Sequence, residues 1–180
     1  MIGMPHYIVP VQVHPKAIDA LMKEAEIKIL SLTPIMQKDD NTIISSEIAI
    51  QLKDNLYLNV SVARSEMKFE DEVEHLQVIV ERNVPNITDG NPENILVFEK
   101  FLRIRGNVQC ELLVEEEKYT DLSSKKVLYT SECGTGILLK NDEETVLITC
   151  NEFCTILVTK DQEIINDILN KRYNFTRLKG

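Results

Sequence analysis

The stretch ISSEIAIQLKDNLYLNVSV, residues 44–62, decides the fold class of this chain. Apolar side chains occupy every second position over 48–52, and the alternation resumes over 56–62 after the polar triplet Lys53-Asp54-Asn55. A period of two on both sides of an Asp-Asn turn predicts a β-hairpin with one buried face. Residues 74–80 repeat the alternation, so we expect a third strand and an antiparallel meander.

Three helices are expected, and each begins at a residue that favours a helix start. Proline suits the first helical turn because its missing N–H would lack a partner there, and Asn and Asp side chains accept hydrogen bonds from the first N–H groups. The three segments are 15–25, which begins with Pro15, 92–105, which follows Asn91, and 161–172, which begins with Asp161.

The other patterned segments indicate a sheet-dominated molecule. They are short, rich in Val, Ile and Thr, and separated by polar turns. We expect strands at 7–13, 26–33, 108–114, 126–130, 136–140, 145–150 and 155–159, with a loose basic tail at 173–180. The predicted fold class is α+β and β-rich, with mainly antiparallel hairpins or a meander and about three helices.

A chain of 180 residues suits one domain with its own core. We therefore predict a single domain over 1–180. A second interpretation keeps two β-rich sub-domains, 1–114 and 122–180, joined by an acidic linker near 115–125.

The composition excludes several classes of protein. With 43% hydrophobic and 27% charged residues, wholesale disorder is excluded. Lys plus Arg number 20 against 29 Asp plus Glu, a formal net charge of -9, which argues against nucleic acid and against anionic membranes as partners. No signal peptide and no apolar run of roughly 20 residues is evident, so we predict a cytoplasmic protein that does not span a membrane.

The four cysteines are expected to be free and mostly buried thiols. Among Cys110, Cys133, Cys150 and Cys154, the best candidate for a reactive thiol is Cys133, because its polar neighbours suggest an exposed turn. His75 is the only mid-chain histidine, and no pattern ties it to Cys133. No zinc spacing is present, and surface or capping roles are the expected ones for His6 and His14.

Other motifs point away from catalysis. Gly134-Thr135-Gly136 lacks the residues of a phosphate-binding loop, so we expect a β-bulge or a close backbone approach there. The acidic runs at 70–72, 115–117 and 143–144 are expected in turns and linkers, as solvated acids. We therefore predict no catalytic residue, no metal site and no cofactor.

Charge is the strongest functional signal that remains. Residues 66–99 carry nine acids against Lys68 and Arg82, a net charge of -7. Such a field attracts basic partners. The leading hypothesis is a non-enzymatic acidic module for protein–protein interaction, such as an inhibitor or immunity-type protein, that binds a basic partner through Glu70, Asp71, Glu72 and Glu74. Two alternatives stay open: a homo-oligomeric structural or chaperone-like subunit, and an unrecognised cysteine- or carboxylate-dependent enzyme.

Overall fold

The structure, a computed structural model, describes residues 3–24, 26–53, 56–66, 72–82, 103–172 and 177–179. In this part of the chain, fourteen strands form two sheets accompanied by two α-helices, and the strands pair mainly antiparallel. The predicted β-rich α+β class is thereby confirmed. The predicted meander is present as three consecutive antiparallel strands of one sheet.

This sheet, sheet B, has six strands, which lie in the spatial order β2 (Gln12–Val13), β8 (Glu72–Glu81), β7 (Tyr57–Glu66), β6 (Glu47–Gln51), β3 (Glu26–Ser31) and β9 (Arg103–Arg105). Every pairing in it is antiparallel except that of β2 with β8.

Sheet A has eight strands. Seven lie in the order β14 (Arg177–Lys179), β10 (Gln109–Thr120), β11 (Val127–Lys140), β12 (Thr145–Asn151), β13 (Thr155–Thr159), β5 (Thr42–Ser45) and β4 (Gln37–Lys38), and β1 (His6–Val9) runs parallel to one half of β11. The two halves of β11 pair with different neighbours, β1 and then β12, while β10 follows its full length.

The main apolar core takes side chains from both sheets. Ile50 and Leu58 of sheet B and Ile137 and Ile148 of sheet A belong to one buried cluster, and each is at most 2% exposed. The chain passes between the sheets four times, after β1, β3, β5 and β9. The division into sub-domains 1–114 and 122–180 stays a prediction, and sheet A joins strands from either side of it.

Two helices accompany the sheets. Helix α1 (Pro15–Met22) begins as predicted, and the His14 side chain accepts a hydrogen bond from Lys16 N–H, which confirms a capping role for that histidine. It ends three residues before the predicted boundary. Helix α2 (Gln162–Arg172) has Asp161 as its cap, since Asp161 Oδ1 accepts from Glu163 N–H and Ile164 N–H. The two helices have 8 and 11 residues and are too short to cross a membrane. Among the described residues, no helix is both long enough and apolar enough to do so.

The predicted helix 92–105 falls mostly on 83–102, which lie outside the described residues. Its last three residues form β9 instead, so the predicted end at 105 is wrong. Here Ile104 is fully buried between two arginines that point away from the core, and Arg103 pairs with Glu26 on β3. A period of two suits this strand better than a helical turn.

The predicted breaks in the last third are also corrected. The segments 126–130 and 136–140 are one 14-residue strand, β11, and the acids at 115–117 continue β10 instead of forming a linker. Strands β10 and β11 stay paired along their length because of a register shift between Leu113 and Val114. At this β-bulge, β11 has one residue more than β10. The tail predicted to be loose contributes β14, which pairs with β10.

Candidate functional site

A polar cleft of about 400 Å³ is lined by both sheets and by the end of α2. Residues from five strands contribute to its walls, so it brings together parts of the chain that are far apart in sequence. Its lining consists of Arg64, Glu72, Val73, Glu74, Glu115, Glu117, Tyr119, Cys133, Thr135, Cys150, Asn151 and Arg172.

One wall is organised around Arg64 on β7. Its guanidinium donates to Glu72 Oε2 at 3.3 Å, to Glu74 Oε1 at 3.4 Å and to Cys154 Sγ at 2.6 Å. The Cys154 thiol in turn donates to Glu74 Oε1 at 3.1 Å. The antiparallel register places Arg64 directly opposite Glu74, which is why these side chains meet.

The opposite wall is organised around Arg172, the last residue of α2. Its guanidinium donates to the Cys150 carbonyl oxygen at 2.7 Å and to Glu115 Oε2 at 3.1 Å. Thr135 Oγ1 donates to the same Glu115 oxygen at 3.2 Å. Helix α2, strand β10 and strand β12 are thereby joined at the cleft.

The aromatic side of the cleft belongs to β10 and β11. Tyr119 stacks on Tyr129 with 4.2 Å between ring centroids, and its hydroxyl donates to Glu117 Oε2 at 2.7 Å. Burial and this hydrogen bond raise the pKa of Tyr119. The phenol is therefore neutral at physiological pH and acts as a hydrogen-bond donor.

The thiols around the cleft are protonated. Burial raises the pKa of Cys150 to about 12 and also raises the pKa of Cys133. For Cys154, the hydrogen bond to Glu74 is the main cause of a raised pKa, followed by burial. Since the thiolate is the nucleophile, this environment disfavours thiol chemistry at neutral pH.

Four glutamates and two arginines line the cleft, which gives these groups a formal charge of -2. Each carboxylate has two oxygens and room for several donors, so the existing bonds do not exhaust their acceptor capacity. The arrangement can therefore bind a further cation or a group with several N–H donors.

The structure places the predicted partner-binding residues as follows. Glu72 and Glu74 lie on the wall that contains Arg64, whereas Glu70 and Asp71 lie outside the described residues. The prediction of an exposed turn around Cys133 is wrong: this residue is 3% exposed within β11. All four cysteines are free, as expected, and Cys154 alone among them is not fully buried.

The histidines lie elsewhere. His75 is buried on β8, where its Nε2 contacts Ser65 Oγ at 2.9 Å, and it does not line the cleft. The His6 ring bridges Thr130 Oγ1 and Glu132 Oε2, at 2.6 and 3.2 Å. This hydroxyl–imidazole–carboxylate row joins the paired strands β1 and β11, and Thr130 is 7% exposed, so we interpret it as a link between strands.

Sequence reasoning missed Arg64, Glu115 and Arg172, which organise the cleft. Glu74 belongs to the predicted third strand, but the predicted second strand ends at 62, so Arg64 lies two residues beyond it. In the structure this strand continues to Glu66 and places Arg64 opposite Glu74. The approach of Arg172 to Glu115 spans 57 positions in the sequence and has no local signal.

No set of three or more His, Cys, Asp or Glu side chains within the described ranges is arranged to bind a metal ion. No protein-family model, no curated protein and no solved structure matches this chain. The geometry of the cleft and the charge of the molecule are therefore the basis for a functional proposal.

Proposed function

We propose that this protein is a non-enzymatic interaction module that binds a basic segment of another protein at the cleft. The observation that carries the proposal is the excess of four glutamates over two arginines in a cleft of about 400 Å³. Two cationic side chains that enter would neutralise the charge of -2, and the net charge of -9 of the whole chain would steer such a partner toward the cleft. Inhibitor and immunity-type proteins are one class with this property.

An incoming cation can replace the ion pairs that are present on one wall of the cleft. The Arg64 and Glu72 side chains are 52% and 50% exposed, and ion pairs this exposed contribute little to stability. A partner guanidinium or ammonium can therefore bind the same carboxylates at small cost to the fold. On the other wall, the bond of Arg172 to the Cys150 carbonyl keeps its helix in place.

The protonated thiols support binding over catalysis. A cysteine-dependent enzyme needs a thiolate near a base, and the pKa values of Cys133, Cys150 and Cys154 are all raised. A cytoplasmic setting, which we also propose, would keep these thiols reduced. The homo-oligomeric alternative stays a prediction, and the solution mass is its test.

The proposal is tested by measuring the affinity for a ten-residue oligolysine peptide by fluorescence anisotropy at low salt. The cleft variant Glu72→Gln/Glu74→Gln removes two negative charges without changing the size of either side chain. We expect it to bind the peptide about tenfold more weakly than the wild-type chain, because two carboxylate contacts are lost.

The matched control is Asp142→Asn/Glu143→Gln, which removes the same charge from the exposed turn between β11 and β12. We expect this control to lower the affinity less than about twofold, by the general effect of net charge. Equal weakening in the two variants would show that the peptide responds only to total charge, and the cleft would then not be the binding site.

A further inference from the structure

We propose that the basic segment is recognised through arginine in preference to lysine, because one of its guanidinium groups stacks on the exposed ring of Phe153 beside the cleft. This inference rests on the proposed function and specifies the chemistry of the partner. It uses a residue that the cleft itself does not include.

Phe153 is presented by a tight turn with an uncommon backbone. The turn, Glu152–Cys154, separates β12 from β13, and the φ angles of Phe153 and Cys154 are 58° and 57°. Two successive side-chain-bearing residues in the left-handed region are unfavourable. A backbone of this kind persists only where its surroundings fix it.

The surroundings do fix this turn. Thr155 Oγ1 donates to the Glu152 carbonyl oxygen at 2.6 Å, and Asn151 Nδ2 donates to Thr155 Oγ1 at 3.2 Å. The Cys154 thiol is bound between Arg64 and Glu74 of the cleft wall. The turn is therefore attached to the cleft on both sides, through Asn151 and through Cys154.

The Phe153 side chain adds nothing to the core. It is 89% exposed, and no residue of its turn is buried. The turn is fixed and keeps this large aromatic ring in solvent. The ring is therefore buried only when another molecule packs against it. Aromatic residues with few rotatable bonds are effective anchors at interfaces because little conformational entropy is lost when they bind.

The adjacent charges decide which partner group suits the ring. Carboxylates lie on the cleft wall next to the turn, so the local field favours a cation over a neutral apolar group. Arginine combines a planar face that stacks on aromatic rings with N–H groups in a fork that matches carboxylates. Lysine offers only a point charge, so the ring and the glutamates together favour arginine.

The test compares ten-residue oligoarginine and oligolysine peptides by fluorescence anisotropy against the wild-type chain, Phe153→Leu and Phe153→Tyr. Leucine keeps an exposed apolar side chain but removes the aromatic face, whereas tyrosine keeps the face. We expect Phe153→Leu to lower affinity for oligoarginine about threefold and to leave oligolysine binding unchanged, while Phe153→Tyr behaves as wild type.

Leu122→Ala is the control for general loss of exposed apolar surface, because Leu122 is 98% exposed in a different turn. It should bind both peptides as the wild-type chain does. An arginine preference that survives in Phe153→Leu, or that is absent from the wild-type chain, would overturn the inference. The proposed function would then still be judged separately, by the glutamate variants and oligolysine.

Discussion

At the scale of single residues, Gly134 is required by a contact with a segment that is distant in the sequence. The sequence predicts a bulge or a close approach, and both are present: the register shift lies beside it, and the Pro10–Val11 backbone passes against its Cα. A Cβ at this position would lie 2.7 Å from the Pro10 carbonyl carbon and closer still to Val11 N. Glycine is the only residue that fits without movement of the backbone.

Gly134→Ala is therefore expected to lower the free energy of unfolding by about 3 kcal/mol or more, because backbone atoms must move to admit the methyl group. Urea denaturation of the variant and the wild-type chain measures this difference. Gly3→Ala, where no atom lies within 4 Å of the added Cβ, should change the stability by less than about 0.5 kcal/mol. A loss below about 1 kcal/mol for Gly134→Ala would contradict the close approach.

The wrong prediction for Cys133 also has its cause in a distant segment. Its neighbours Ser131, Glu132 and Gly134 are typical of a turn, and local propensity therefore favours exposure. In the structure β1 pairs along 130–133, and this long-range pairing covers the segment. A contact between residues more than 120 positions apart has no signature in the local sequence.

At the scale of elements, alternation predicted the strands of the meander, the 145–150 strand and the 155–159 strand well. It failed where two strands continue through polar residues, as β10 does through Glu115-Glu116-Glu117. Glu115 is half-buried, whereas Glu116 and Glu117 are both exposed. The Glu115 carboxylate can be half-buried because Arg172 and Thr135 donate hydrogen bonds to it. These partners become adjacent only in the tertiary structure.

The turn between β10 and β11 carries a pH-dependent contribution to stability. Asp121 Oδ1 accepts hydrogen bonds from the Ser123 hydroxyl at 2.6 Å and from the N–H groups of Ser123 and Ser124 at 2.9 and 2.6 Å. These bonds, with that of the Ser123 hydroxyl first, lower the pKa of Asp121 from 3.8 to about 2. The folded state therefore binds the proton more weakly than the unfolded state does.

Because the pKa of Asp121 is lower in the folded state, its contribution to stability is present above about pH 4 and is lost as the pH falls through about 2. We expect an NMR titration of the Asp121 carboxyl carbon to give a midpoint near 2. Between pH 5 and pH 2, the melting temperature of Asp121→Asn should fall less than that of the wild-type chain. A midpoint near 3.8 would show that the turn does not stabilise the carboxylate.

At the scale of the whole molecule, the composition predicted an acidic surface but not how the acids are arranged. The net charge of -9 and the two predicted glutamates Glu72 and Glu74 are consistent with an acidic face. The cleft adds Glu115 and Glu117 from a different sheet, together with two arginines. Charge counts along a sequence cannot predict this convergence, because it depends on how sheets A and B pack.

We propose that a cationic partner binds at the cleft between sheets A and B. The most direct measurement is an NMR titration of the isotopically labelled wild-type chain with the ten-residue oligolysine peptide. We expect the shifted amide signals to cluster at the cleft, around Arg64, Glu74, Glu115, Asn151 and Arg172. Shifts spread evenly over the acidic surface, or concentrated at the 141–144 turn, would contradict it.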